Sequence, residues 1–242
     1  MVRDVPPGMA DRLIVALDVA DVRAAQQLVT RLDGVASFFK IGLGLAFAPG
    51  LDGLIGSLTD GGKKIFLDAK MFDIPETVGR AVAVAARRRV SFVTVHGDAA
   101  IMRAAIKGKG DSDLKVFAVT VLTSLDDAAL REMGYAVGAH ELVQMRARKA
   151  IECGCDGIIA SASDNPDEIR RLGDMQSLLI ATPGIRQASG DVNDQKRTAT
   201  PGEAIRNGAD YLVVGRPIVA APDPVATARS FIAEMEAARP GS

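Results

Sequence analysis

Short apolar runs recur along this chain, each followed by a stretch with helical spacing. They cover Leu13–Leu17, Ser37–Ile41, Lys64–Leu67, Phe92–Val95, Lys115–Leu122, Gly157–Ala160, Leu178–Ala181 and Asp210–Val214. Between them lie stripes such as Val22, Ala25, Leu28, Val29 and Leu32, or Leu51, Leu54, Ile55 and Leu58. Apolar residues at three- and four-residue intervals mark a helix with one buried face. The strand runs are apolar at successive positions, as in a parallel sheet covered on both sides. Eight strands alternating with helices predict a single (β/α)8 barrel. The chain has 242 residues, and such barrels typically take about 250. An open doubly wound sheet is the competing arrangement, but the first strand-to-helix turn has no G-x-G-x-x-G fingerprint. Without a compositional break, residues 1–242 are expected to form one domain, with a disordered lead-in at 1–11 and a short tail at 239–242.

Further helices are expected over Glu76–Arg89, Ala99–Ile106, Asp126–Met133, Ala139–Cys153 and Pro166–Leu172, with a last one carrying Val225 to Met235. Thr200 and Glu203 fit a capping box, and Asp223–Pro224 a cap and first turn.

Composition excludes several functions. Net charge is −1 and Trp is absent, so neither bulk charge nor a stacking surface points to nucleic acid. No apolar run approaches the ~20 residues of a membrane span, and the N-terminus lacks a secretory apolar core. Cys153 and Cys155 are the only cysteines. A C-x-C pair lacks the ligands of a structural zinc site; buried thiols in a reducing, cytoplasmic setting are expected.

The polar residues are placed unevenly. Asp18, Lys40, Asp68, Lys70, His96, Thr123, Arg186 and Arg216 all fall at or just past strand C-terminal ends, the face that carries the active site in such barrels. Asp68-Ala69-Lys70-Met71-Phe72-Asp73 is the densest cluster. Strand alternation points Asp68 and Lys70 the same way, while Asp73 falls on the following turn or helix start. The polar, glycine-bearing segment Gln187–Arg197 reads as a binding loop or a surface insertion. The loops after strands seven and eight often bind phosphate in this fold. Gln195, Gly215 and Arg216 offer an amide, an open backbone and a guanidinium for it. His96 reads as a packing residue, His140 as surface, Arg87–Arg89 as a solvated helix end, and Met71–Phe72 as core or interface.

These residues resemble the orotidine 5′-monophosphate decarboxylase family over essentially the whole chain. The resemblance rests on D-x-K-x-x-D-I at Asp68–Ile74, Lys40-Ile41-Gly42, Thr182–Arg186, Asp194–Arg197 and Gly215-Arg216. It implies a homodimeric barrel, free of cofactor and metal, that converts orotidine monophosphate to uridine monophosphate and carbon dioxide. A charge network of Lys40, Asp68, Lys70 and Asp73 is implied, with Lys70 protonating the ring carbon and Asp68 beside the departing carboxylate. Asp18 and Lys40 would hold the ribose, and Thr123 the pyrimidine. Gln195, Gly215 and Arg216 would bind phosphate, with Arg186 nearby. Asp73, Ile74 and Thr77 would reach the partner subunit's site. The chain departs from the family pattern at Ala69, where a larger apolar residue is common, and at Glu76, where Asn is frequent. Magnesium-dependent phosphosugar barrels share D-x-K-x-x-D but carry a metal-supporting acid at the position of Lys40. A non-catalytic sensor on the same barrel would bind the nucleotide without turning it over.

Overall fold

The computed structural model describes residues 3–171, 176–187 and 198–239. Among them, parallel strands close into a barrel in sequence order. They are β1 (Leu13–Ala16), β2 (Phe38–Gly42), β3 (Lys64–Met71), β4 (Phe92–His96), β5 (Lys115–Val119), β6 (Gly157–Ile159), β7 (Leu179–Thr182) and β8 (Tyr211–Val214). Closure comes from β1 pairing with both β2 and β8. The described helices are α1 (Val22–Arg31), α2 (Leu43–Ala46), α3 (Leu51–Asp60), α4 (Pro75–Arg87), α5 (Ala99–Lys109), α6 (Asp127–Glu132), α7 (Ala139–Glu152), α8 (Pro166–Arg171), α9 (Pro201–Arg206), α10 (Arg216–Val219) and α11 (Pro224–Ala237).

The caps follow the side-chain chemistry. Asp21, Asp98 and Asp223 accept from the first backbone amides of α1, α5 and α11. The expected capping box of Thr200 and Glu203 opens α9. Each cap satisfies donors that would otherwise be orphaned, at about 1 kcal/mol apiece.

Strand alternation separates two cores. Outward-facing residues such as Leu13, Val15, Phe39, Ile41 and Val93 pack under the helices. Inward-facing residues form a second cluster within the barrel. Its lower layer comes from even-numbered strands: Phe38, Phe92 and Tyr211, with Gly157 opposite. Ring centroids are 4.8 Å apart for Phe38–Phe92 and 5.1 Å for Phe92–Tyr211, both edge to face. Gly157 is needed because a Cβ there would come within 2.5 Å of the Phe117 ring. Ile14, Phe66, Phe117 and Leu179 of the odd-numbered strands form the next layer. Two residues further along each strand, the same alternation delivers Lys40, Asp68 and Thr94 above this apolar floor.

Several boundaries differ from the sequence reading, three of them with a clear structural cause. β3 runs on to Met71 rather than ending at Leu67. Its pairing with β4 slips, since Leu67 faces Val93 and Met71 faces Val95, so four steps on β3 match two on β4. β5 stops at Val119 instead of Leu122. There the Arg146 guanidinium takes the Thr120 carbonyl, which is drawn off the ladder. The expected loose lead-in is instead packed over residues 3–12. Met9 is fully buried, its amide donates to Glu236 at 3.1 Å, and Arg3 pairs with Asp210 at 3.1 Å.

Helices α4 and α5 cross at two glycines. A Cβ on Gly108 would lie 2.3 Å from the Gly79 carbonyl oxygen. Since that neighbour is backbone, Gly108→Ala should lower stability by about 1–3 kcal/mol. A melting temperature equal to that of the unaltered protein would contradict this packing.

Candidate active site

The site is built on the slip in β3. Lys70 adopts a left-handed backbone conformation, with φ of 44°, which is uncommon for a residue with a side chain. Its amide donates to Thr94 Oγ1 on β4 at 2.9 Å. This kink, rather than simple alternation, brings the Lys70 ammonium to 2.8 Å from Asp68 Oδ2. The other Asp68 oxygen accepts from the Thr94 hydroxyl at 2.9 Å. Lys40, projecting from β2, lies 3.6 Å from Asp68 Oδ2 and 3.1 Å from Asp18 Oδ1.

Burial makes these contacts matter. Lys40 and Asp68 are each only 9 % exposed, and Thr94 is fully buried. Two glycines leave room for the pair that Lys40 makes with Asp18. A Cβ on Gly42 would come within 3.1 Å of the Lys40 ammonium, and one on Gly215 within 3.1 Å of Asp18 Oδ2.

A cavity of about 430 Å³ opens above this cluster, a size suited to a small organic ligand. Asp18, Lys40, Asp68 and Lys70 line one side, and Phe66, Val119, Ile159 and Val213 give an apolar wall. Thr123, Ser161, Arg186, Gly215 and Arg216 also line it. Burial pushes the Arg186 guanidinium below its ordinary value, and the nearby positive charge of Arg216 adds to that. Two guanidiniums lining one cavity suit an anionic ligand. Arg216 opens the short helix α10 after β8, where this fold often seats phosphate.

The expected site residues divide into groups. Asp18, Lys40, Asp68, Lys70, Thr123, Arg186, Gly215 and Arg216 converge on one cavity. Gln195 falls outside the described residues, as does the rest of 188–197. The chain on either side of that segment is joined, with the Arg186 amide donating to the Ala199 carbonyl at 2.9 Å. Within one chain Asp73 does not join the lysines. Its carboxylate is exposed and accepts from the Ile74 amide at 2.6 Å. Ile74 is 65 % exposed, and Thr77 is half-buried on the first turn of α4.

Of the two family departures, Ala69 is half-buried and lies off the cavity lining. Glu76 is exposed and sits 4.0 Å from Arg80. His96 meets Phe72 in a tilted ring contact with centroids 4.9 Å apart, and burial, reinforced by Arg146, holds its imidazole below the ordinary histidine value. His140 is exposed, 2.8 Å from Gln144.

Sequence reasoning missed Thr94, Ser161 and the apolar wall. The signal for Thr94 was present. It is a polar residue at an inward position of β4, two places beyond Phe92.

Residues 11–231 match the family model described as Orotidine 5'-phosphate decarboxylase / HUMPS family. The chain belongs to this family. It is 49% identical over 231 residues to the orotidine 5'-phosphate decarboxylase of Nitrobacter winogradskyi, covering 95% of each chain. It is 50% identical over 226 residues to the same enzyme of Methylorubrum extorquens, covering 93% of this chain and 96% of the relative. The crystal structure of orotidine 5'-phosphate decarboxylase from Lactobacillus acidophilus superposes with a TM-score of 0.78 at 34% identity, covering 93% of this chain and 99% of that one.

Proposed function

We propose that this family member decarboxylates orotidine 5′-monophosphate to uridine 5′-monophosphate and carbon dioxide, in pyrimidine biosynthesis. The observation that carries the reading is the Lys70 ammonium, held against Asp68 at the apolar floor of the cavity, opposite a pair of arginines. The nucleotide then lies across the cavity. Its phosphate meets Arg186 and Arg216, with Gln195 and the Gly215 backbone assisting. Asp18 and Lys40 take the ribose hydroxyls, and the pyrimidine rests on Phe66, Ile159 and Val213 beside Thr123.

The chemistry follows from charge placement. The bond between ring C6 and the carboxylate breaks, carbon dioxide leaves, and the electron pair stays on C6. The ring delocalises that pair poorly, so a fixed positive charge must stabilise it. The Lys70 ammonium does so and then gives its proton to C6; the amine regains a proton from solvent. Preorganised groups of this kind are worth about 3–4 kcal/mol each. Asp68 faces the substrate carboxylate, and the repulsion between them is relieved as neutral carbon dioxide departs.

A metal-dependent reading is disfavoured by Lys40. Its ammonium sits between the Asp18 and Asp68 carboxylates, filling with a built-in cation the place where two acids would hold a metal. An absorbance assay on orotidine 5′-monophosphate decides between the readings. Turnover undiminished by a chelator is expected. Activity abolished by chelator and restored by magnesium would place the chain with the phosphosugar enzymes, and nucleotide binding without turnover would make it a sensor.

We further propose a homodimer in which Asp73, Ile74 and Thr77 serve the partner's site. Support comes from the exposed apolar residues Leu43, Phe47, Phe72 and Ile74, which follow the neighbouring strands β2 and β3. Such side chains gathered at one rim suit a protein contact. No described helix is long and apolar enough to cross a membrane, and we place the dimer in the cytoplasm. Mixing Lys70→Ala and Asp73→Ala subunits should restore about one working site per heterodimer, as the pairing of two symmetric sites requires. Absence of rescue would contradict the shared site.

A further inference from the structure

We propose that Thr94 is a positioning residue that aims the Lys70 ammonium for the chemical step. This inference rests on the decarboxylase reading above. Thr94 is fully buried, so it does not touch a ligand in the cavity. It nevertheless grips Lys70 at both ends. Its oxygen accepts from the Lys70 amide at 2.9 Å, while its proton goes to Asp68 Oδ1 at 2.9 Å. The second oxygen of Asp68 holds the Lys70 ammonium at 2.8 Å. The loop is closed: Lys70 amide, Thr94 hydroxyl, Asp68 carboxylate, Lys70 ammonium.

The bonds have a direction. A hydroxyl has one proton, and Thr94 spends it on Asp68. Its lone pairs therefore remain for the Lys70 amide, which fixes the left-handed backbone at that residue. One small group thus sets both the backbone from which the lysine side chain departs and the carboxylate at which it ends. Serine would supply the same hydroxyl, whereas valine keeps the shape and supplies neither bond. Lys40, itself paired with Asp18, is a second anchor at the same Asp68 oxygen as Lys70, so losing Thr94 should loosen the site without emptying it of charge.

The test is steady-state turnover of orotidine 5′-monophosphate by Thr94→Val and Thr94→Ser, with calorimetric binding of uridine 5′-monophosphate to each. For Thr94→Val, kcat should fall roughly ten- to a hundredfold, as expected for a lost hydrogen bond to a charged group. Its KM and the product affinity should stay within about threefold, since the residue holds the reacting group and not the ligand. Thr94→Ser should recover kcat to within about threefold of the unaltered enzyme. A wild-type kcat in Thr94→Val overturns the proposal. So does a serine variant as impaired as the valine one, because packing would then be the cause. If the valine chain does not fold, Thr94→Cys, whose thiol is a weaker donor and acceptor, takes its place; a wild-type kcat there overturns the proposal equally. An unaltered enzyme that leaves the substrate intact would instead refute the decarboxylase reading.

Discussion

The site depends on one carboxylate. Asp68 is 9 % exposed at the top of the barrel interior, yet it is hydrogen-bonded to Thr94 and paired with Lys70, and it has Lys40 at 3.6 Å. An anion taken this far out of water is tolerated only when paired and hydrogen-bonded. Its partners are supplied by the adjacent strands β2 and β4 and by a residue two places along its own strand. The barrel therefore brings these charges together through strand order, and the slip in β3 adjusts the final aim.

The apolar interior below the site contributes as much as the charges. Phe38, Phe92 and Tyr211, then Phe66 and Phe117, fill the barrel with rings. A packed, rigid floor cannot hydrate the groups above it, so Lys40, Asp68 and Lys70 must satisfy one another. A low-dielectric base also strengthens their mutual fields. The opposite wall is built differently. Arg186 and Arg216 both line the cavity there, and the positive charge of Arg216 adds to burial in lowering the Arg186 guanidinium, which suits an anionic ligand.

Much of this was legible in the sequence because it depends on periodicity. The alternation of apolar runs and helical stripes specified the barrel, and strand-end polar residues marked the end of it that carries the cavity. Eight of the expected site residues line one cavity. What escaped the sequence depends on three-dimensional competition. β3 reads as ending at Leu67, because nothing local reveals that Lys70 will be held left-handed by a hydroxyl on another strand. β5 reads as reaching Leu122, because the Thr120 carbonyl is claimed by Arg146, 26 residues further on. Strand alternation marks Thr94 as a polar residue at an inward position of β4, but its bonds to Lys70 and Asp68 depend on the slip in β3. The D-x-K-x-x-D spacing groups Asp73 with the other charges, but the turn after Met71 carries it to the rim.

In the proposed mechanism the fixed Asp68 carboxylate holds the Lys70 ammonium in place for the reaction. The most direct measurement is kcat for Asp68→Asn, a substitution that keeps the shape and removes the charge, on protein shown by thermal melting to be folded. A loss of at least about a hundredfold in kcat is expected, in the range found when a preorganised electrostatic group is removed. A kcat within about threefold of the unaltered enzyme would contradict it.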